Sequence, residues 1–300
     1  MIQDSVLGPY QEIITARASD KKIRSKSQDG GIVSALLIYA LEENIIDGTI
    51  VAVESNEALK VEPKVATTKK DILKAAGTKY TMCPNLALLK EATRSYGLEK
   101  IAAVGTPCQV MGLRKMQAYP MGARNVTDKI ALSIGIYCME NFPYESLRTF
   151  VCDKARTAPQ KVTKMNISKG KLFINHSDSK DAFAIPLKET HGYEQSGCNY
   201  CLDYVAELSD ISCGSVGAKD GWSTIIKRTD NGASFVDEAI NEGVLEVTDT
   251  DEGKFGLEML KKLSTNKKKK NQKRIDKKLD MGLSIPFAHS SKKKDILENR

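Results

Sequence analysis

The chain has 300 residues, 41% hydrophobic and 28% charged, and its 21 Gly and 9 Pro exclude collagen-like, low-complexity and disordered proteins. No apolar run approaches the ~18 residues that a membrane helix needs, and the first residues lack a secretory signal, so we expect a cytoplasmic protein without a transmembrane segment. The net charge of +7 is concentrated at one end, because residues 261–300 hold 14 Lys and Arg against 4 Asp and Glu (+10) and residues 1–260 hold 31 against 34 (−3), which argues against a nucleic-acid partner.

The first half of the chain alternates helical and extended patterns. A glycine-containing loop precedes an apolar helix over residues 30–44, and a β-branched run at 49–53 predicts a strand. Helices are then predicted at 85–96, 107–116 and 143–155, with strands between them at 100–104 and 129–137. This alternation is typical of a layered α/β sheet.

In the second half of the chain, apolar and polar residues tend to alternate with a period of two, which is typical of strands. Segments 162–167, 171–175 and 182–187 predict an antiparallel meander with a turn at Lys169-Gly170. Strands at 211–216, 222–228 and 244–247 and helices at 233–241 and 257–263 follow. We therefore predict an α/β (α+β) fold with a layered mixed sheet, flanking helices, a meander, a cysteine-bearing loop and a basic C-terminal extension.

The sharpest motif is the C-x-x-C pair formed by Cys198 and Cys201. In a reducing compartment the seven cysteines are expected to be thiols or metal ligands. One C-x-x-C pair supplies two ligands, whereas zinc and iron–sulfur sites normally take four. A thioredoxin-like redox pair is the alternative, but that motif belongs at the start of a helix after a strand.

Sequence context separates the other five cysteines. Cys108 and Cys138 each follow a predicted buried strand, at the strand ends where α/β sheets build their sites. Cys152 is expected to be a small buried hydrophobe in mid-helix, Cys83 stays open, and Cys213 is a reserve ligand. We predict Cys108, Cys138, Cys198 and Cys201 as metal ligands. Their scatter along the chain favours an iron–sulfur cluster over zinc.

Two loops and one aromatic residue suit a phosphate-bearing or planar cofactor. The loop at residues 26–31 offers backbone amides and a helix N-terminus, although a simple capped helix start is the alternative. The loop at 76–81 offers Lys79 and Tyr80, which suit a flavin or a surface turn equally well. The single tryptophan, Trp222, follows a glycine-rich turn and is predicted to lie against a planar cofactor or in the core. His191 is expected to be structural.

Five motifs in order resemble one family. They are Ser27-Gln28-Asp29-Gly30-Gly31, Ala76-Gly77-Thr78-Lys79-Tyr80, Gly105-Thr106-Pro107-Cys108-Gln109, Tyr137-Cys138-Met139-Glu140-Asn141-Phe142 and Gly197-Cys198-Asn199-Tyr200-Cys201-Leu202-Asp203-Tyr204. Together they resemble the flavin and iron–sulfur family of F-420 hydrogenase/dehydrogenase beta subunits of methane-producing archaea. The likeness runs from Val6 to about Phe287.

The resemblance implies FAD, one 4Fe-4S cluster and, as substrate, coenzyme F-420 (hereafter F420, an 8-hydroxy-5-deazaflavin). It favours the same four cysteines as cluster ligands, and it implies no catalytic side chain because FAD carries the chemistry. The predicted cofactor-binding residues are Ser27, Gln28, Asp29, Gly30, Gly31, Thr78, Lys79, Tyr80, Thr106, Pro107, Gln109 and Trp222.

The resemblance also implies a role and partners. It describes an oxidoreductase subunit that passes electrons derived from H2 through the cluster to FAD and then as hydride to F420. Hydrogen activation belongs to a nickel–iron hydrogenase large (alpha) subunit, accompanied by an iron–sulfur small (gamma) subunit. The alternatives are an F420-oxidising input module of another redox complex and a non-enzymatic zinc-stapled scaffold.

The predicted organisation has three parts. Residues 1–155 form an α/β flavin-binding part, 156–264 an α+β part with the iron–sulfur loop, and 265–300 a basic extension. We expect this extension, including Lys267 to Lys270, to lie away from every cofactor motif and to be either solvated or a docking element for a partner subunit.

Overall fold

The computed structural model describes residues 1–120, 123–248, 256–283 and 285. The strands are β1 Glu12–Ala18, β2 Gly48–Glu54, β3 Val61–Ala66, β4 Ile101–Gly105, β5 Ile130–Ile136, β6 Val162–Ser168, β7 Lys171–His176, β8 Phe183–Pro186, β9 Ile211–Gly214, β10 Ser223–Lys227 and β11 Leu245–Thr248. The α-helices are α1 Lys21–Lys26, α2 Ile32–Glu42, α3 Lys69–Ala75, α4 Leu89–Arg94, α5 Pro107–Ala118, α6 Arg124–Thr127, α7 Tyr144–Lys154, α8 Asp230–Asn241 and α9 Leu257–Asp280. Short 3-10 helices lie at Asn85–Leu88, Pro159–Lys161, Leu187–Thr190 and Ser196–Tyr200.

An eight-stranded mixed sheet in the order β11-β1-β10-β9-β5-β4-β2-β3 forms the centre of the fold. Strands β1, β2, β4, β5 and β9 run in one direction, and β3, β10 and β11 run in the other. All residues of β4 are buried, as expected for a parallel strand covered on both faces. The predicted mixed α/β sheet with flanking helices is confirmed.

The predicted meander is a separate three-stranded antiparallel sheet, β6-β7-β8. Lys169 and Gly170 connect its first two strands with φ angles of 48° and 74°, which is the left-handed backbone that a tight hairpin turn requires. Leu172 and Ile174 of β7 pack against Phe150 of α7 in a shared apolar cluster. The small sheet is therefore fixed to the helix that follows β5.

Strands β1 and β3 were not predicted from the sequence. Strand β1 lies between β10 and β11, strands from the far end of the chain, so its pairing is entirely non-local. Strand β3 is an edge strand that contains Pro63, where a missing amide is tolerated. Because β5 pairs with β9 and β1 with β10, strands from both sides of the predicted 155/156 boundary belong to one sheet.

The expected solvated extension from residue 265 is wrong for the described residues, because α9 continues to Asp280. Its buried residues recur every three or four positions and so line one face of the helix, and they are Leu260, Ser264, Lys267, Asn271 and Ile275. Lysine is a good helix former, and the basic run extends the helix along the body. Lys292 to Lys294 lie outside the described residues.

Candidate functional site

The predicted site residues gather at one edge of the large sheet. Because β1, β2, β4, β5 and β9 run the same way, their carboxyl ends meet at this edge. The loop at 26–31 comes after β1, Cys108 follows β4, and Cys138 follows β5. Strand β10 begins at the same edge, directly after Trp222.

Cys108 and Cys138 are held by the elements that follow these strands. Cys108 is the second residue of α5, at the positive end of the helix dipole, and it is exposed. The Thr106 Oγ1 atom lies 3.3 Å from its Sγ atom. The Cys138 amide donates a 2.9 Å hydrogen bond to the Tyr204 carbonyl, which brings the end of β5 beside the segment that follows Cys201.

The C-x-x-C pair lies at the 3-10 helix Ser196–Tyr200. Cys198 belongs to this helix and Cys201 is its C-cap. The Gln195 amide donates to the Asn141 carbonyl at 2.8 Å, which ties this segment to the one that carries Cys138. The Cys201 thiol donates to the carbonyl of Asp203 at 3.4 Å.

The four predicted ligands lie within electrostatic reach of one another. The pKa of the Cys138 thiol is raised to about 12, chiefly by burial; Lys267 opposes this increase, and Cys198, Cys108 and Cys201 contribute to it. Burial also raises the pKa values of Cys198 and Cys201, and Cys108 contributes to both increases. The structure thus brings these cysteines together, while their role as ligands stays a prediction.

The cysteine thiols do not form a compact single-ion site in this structure. Among the described residues, no three cysteine sulfurs lie within 4.8 Å of one another. Four thiolates around one zinc ion at ~2.3 Å would lie within about 4 Å of each other.

The other cysteines lie outside this group. Cys152 is exposed on α7, so the expectation of a buried position is wrong: Phe150 and Val151 face the core and the helix turns Cys152 away from it. Cys213 is buried in the main core, and burial raises its pKa to about 12. Burial likewise raises the pKa of Cys83 to about 12, with a contribution from Glu62.

Helix α9 packs directly on the cysteine group, a contact that was not predicted from the sequence. The Lys267 Nζ atom donates to the carbonyls of Cys138 at 2.6 Å and Asp203 at 2.9 Å. The Asn271 side-chain amide donates to the carbonyls of Cys198 at 2.9 Å and Cys201 at 2.7 Å. The expectation that the basic segment lies away from every cofactor motif is therefore wrong.

A cavity of about 180 Å³ opens beside the cysteine group. It is bounded by Cys198, by the pair Glu140 and His191, and by polar residues of α9 that include Asn266 and Lys270. Ligand atoms of Glu140, His191 and Glu194 lie within 4.8 Å of one another. Residues 140 and 191 are far apart in the chain, so no local sequence motif predicts this cluster.

The loop at 26–31 is tightly built. Gly30 approaches its neighbours so closely that a Cβ there would lie 2.9 Å from the Ala16 carbonyl oxygen. Gly31 caps α2 with φ 75°, and no side chain caps the first turn of this helix. The Ser27 hydroxyl donates to the Ile23 carbonyl at 2.8 Å, and Gln28 is partly buried.

Asp29 connects this loop to other parts of the predicted site. Burial raises its pKa, Asp220 adds to the increase, and Lys164 and Ser215 oppose it. Burial also raises the pKa of Tyr80, and the Asp29 carboxylate adds to that increase. The 26–31 loop, Tyr80, strand β6 and the turn before β10 therefore converge.

Lys79 is a buried cation in the second loop. Its side chain is only 12% exposed, and Nζ lies 3.7 Å from Glu54 and 3.0 Å from the Ala76 carbonyl. Burial lowers the pKa of Lys79, and Glu54 opposes this decrease. Thr78 beside it is exposed.

The remaining predicted cofactor residues have partners within the chain. Gln109 Oε1 accepts from the Thr106 amide at 3.0 Å, and Gln109 Nε2 donates to the Cys83 carbonyl at 2.5 Å. Pro107 is the buried first residue of α5. The Trp222 ring lies 4.4 Å from the Arg17 guanidinium and 5.0 Å from the Lys219 ammonium, so cations contact the aromatic surface that was predicted to face a cofactor.

Two family models match the chain consecutively. "Coenzyme F420 hydrogenase/dehydrogenase, beta subunit N-term" matches residues 13–90, and the model for the C terminus of the same coenzyme F420 hydrogenase/dehydrogenase beta subunits matches residues 98–253. The chain belongs to the coenzyme F420 hydrogenase/dehydrogenase beta subunit family. The resemblance stated from the five motifs is confirmed.

Individual family members are similar over nearly their whole length. Coenzyme F420 hydrogenase subunit beta of Methanothermobacter thermautotrophicus is 53% identical, over 94% of this chain and 100% of that protein. The corresponding protein of Methanococcus voltae is 47% identical, over 93% and 99%. A chain in a structure of the F420-reducing [NiFe] hydrogenase complex from Methanosarcina barkeri matches with TM-score 0.92 and 46% identity, over 96% of this chain and 100% of that chain. None of the helices in the described part of this family member is long and apolar enough to cross a membrane.

Proposed function

We propose that this chain is the beta subunit of an F420-reducing nickel–iron hydrogenase, an oxidoreductase subunit that holds a 4Fe-4S cluster and FAD and reduces F420. One observation carries the proposal: four cysteines from three separate segments converge at the sheet edge where the flavin-type loops also lie. The near-complete coverage of hydrogenase beta subunits supports this reading over an input module of another complex.

Cys108, Cys138, Cys198 and Cys201 would hold the cluster. The dipole of α5 favours negative charge at Cys108, and Lys267 supplies a positive charge near the other three thiols. Ligands drawn from three separate segments suit a four-iron group, whereas structural zinc usually takes two close pairs, and this argues against the zinc-stapled scaffold. When bound, the cluster supplies one-electron transfer and FAD supplies the conversion of two such electrons into a hydride for F420.

FAD would lie between the 26–31 loop and the 76–80 loop. The first turn of α2 offers backbone amides without a side-chain cap, which is a suitable site for a phosphate. The buried ammonium of Lys79 offers a matching positive charge. Asp29 and Tyr80 line the same region, and Lys164 of the small sheet lies close enough to interact with Asp29.

We assign other roles to three of the predicted FAD residues. Thr106 and Gln109 cap the helix that presents Cys108, and they hold it at the end of β4. Trp222 contacts Arg17, which also pairs with Glu246, and this contact fixes the turn before β10. Their contribution is to orient the segments around the cofactors.

Hydrogen activation belongs to partners in this proposal. A nickel–iron large subunit and an iron–sulfur small subunit would supply the electrons, and the four cysteines would hold the group that accepts them. The cavity beside Cys198, with basic Lys270 and Arg274 on its rim, leaves that group accessible from outside the chain. The distance between this group and the redox group of the partner must be short, because electrons have to cross between the subunits.

The test is hydrogen-dependent F420 reduction by the assembled complex. With Cys201→Ala we expect loss of F420 reduction, while reduction of an artificial viologen dye by the partner subunits persists. Cys152→Ala, which removes an exposed thiol on α7, should leave both activities intact. Unchanged F420 reduction with Cys201→Ala would contradict the proposed electron path.

A further inference from the structure

Lys267 is a buried lysine in a helix whose other lysines have access to water. Its relative exposure is 4%, whereas Lys269 and Lys270 are exposed on the same helix. Its ammonium lies between two backbone carbonyls, those of Cys138 and Asp203. Burying an ammonium group is costly unless its surroundings compensate the charge.

The two carbonyl acceptors belong to different segments of the site. One follows β5 and carries Cys138, and the other lies two residues beyond Cys201. A single side chain therefore fixes the distance between them. Asn271, one helical turn further, fixes the C-x-x-C turn to the same face of α9.

Charges around Lys267 come from several elements. Its ammonium is fixed beside the backbone of Cys138 and, through the Asp203 carbonyl, beside the end of the C-x-x-C turn. The Asp203 carboxylate accepts hydrogen bonds from the amides of Val205 and Glu207. Lys270 and Arg274 of α9 border the cavity beside Cys198 that Lys267 also lines. Lys267 is thus a buried positive charge at the cysteine group.

We propose that Lys267 is a positioning and charge-compensating residue of the metal group, which sets the spacing of the two cysteine segments and raises the reduction potential. The inference rests on the proposed function, in which the cysteines hold a 4Fe-4S cluster. Adding one electron to the site makes it more negative by one charge. A fixed cation stabilises the reduced form more than the oxidised form, so its removal should lower the potential.

The experiment compares three variants of the full chain, purified anaerobically with its cofactors. Lys267→Gln removes the charge and keeps an amide donor, Lys267→Arg keeps the charge, and Lys269→Gln removes an exposed charge from the same helix. The readout is the ratio of reduced to oxidised cluster at fixed potentials, followed by electron paramagnetic resonance. For Lys267→Gln we expect this ratio to fall about tenfold, equivalent to ~59 mV for one electron.

Lys269→Gln should match the wild type, and Lys267→Arg should lie closer to the wild type than Lys267→Gln does. Loss of iron from folded Lys267→Gln, with iron retained in Lys269→Gln, also supports the positioning role. A fully loaded Lys267→Gln with the wild-type potential would overturn the inference.

A measurement on the wild type covers the case in which Lys267→Gln does not fold. A buried charge is screened little by salt, so the potential should stay constant between about 0.05 and 0.5 M salt. A potential that falls steeply with salt would assign the effect to exposed lysines and overturn the inference. Absence of iron from the wild type itself would instead contradict the proposed function.

Discussion

The side-chain amide of Asn271 lies 2.7 Å from the carbonyl oxygen of Cys201. The same amide lies 2.9 Å from the carbonyl of Cys198, so one residue of α9 holds both ends of the C-x-x-C turn. The two contacts are partly buried beneath the helix, where an acceptor without a donor is costly. The last helix is therefore part of the site rather than an appendage.

Asn271→Leu keeps the approximate side-chain volume and removes both donors. We expect a decrease in the free energy of unfolding of about 1–3 kcal/mol, because two carbonyls lose their partners. Amide hydrogen exchange over residues 196–203 should accelerate. The matched control is Asn266→Leu, an exposed asparagine on the same helix. Equal effects of the two substitutions on exchange would show that the Asn271 contacts are unimportant.

Substitution of the grouped cysteines should remove iron. In Cys138→Ala and Cys201→Ala, one metal position loses its protein ligand. The metal group is then held less tightly, and metal binding no longer orders the loop that carries the cysteine. Iron per chain should fall severalfold or more, while Cys152→Ala should retain the wild-type content. Iron loss in Cys152→Ala together with a full complement in Cys138→Ala would show that the ligand assignment is wrong.

Lys79→Gln should weaken FAD binding by about tenfold or more, equivalent to ~1.4 kcal/mol. The reason is that its buried ammonium is the positive charge of the 76–80 loop and phosphate is an anion. Fluorescence titration of flavin into the apoprotein provides the measurement. Lys74→Gln, an exposed lysine on α3, is the control for net charge. Equal FAD affinities for the two variants would place the phosphates elsewhere.

Asp29 should make stability depend on pH. Burial raises the pKa of Asp29 in the folded chain. At pH values above both the folded and the unfolded pKa, the buried carboxylate is charged and lowers the free energy of unfolding. This destabilisation vanishes below the unfolded pKa of ~3.9, because the carboxyl group is then neutral in both states. Asp29→Asn removes this penalty and should be more stable than the wild type at about pH 7. In urea unfolding experiments the difference should shrink as the pH falls toward about 4. A difference independent of pH would contradict the assignment.

Much of the site could be predicted because its residues lie in, or directly after, segments with a clear sequence pattern. The apolar runs of β4 and β5 placed Cys108 and Cys138 at strand ends, and the C-x-x-C spacing identified Cys198 and Cys201. The convergence of Cys108 and Cys138 needs no long-range information beyond the parallel direction of β4 and β5.

Lys267 could not be found by counting charge, because its environment depends on the face of the helix it occupies. The available signal was periodicity: small, apolar and amide residues at 260, 264, 271 and 275 share a face with residue 267. Strand β1 was missed for another reason. Its partners lie more than two hundred residues away, so local pattern carried little of the information that fixes it.

The most direct test of the central claim is the content of iron, acid-labile sulfide, zinc and flavin in the full chain purified anaerobically. We expect iron, sulfide and FAD in a ratio of about 4:4:1 per chain, with an iron–sulfur absorption spectrum. A colourless protein with one zinc ion per chain and no flavin would contradict it.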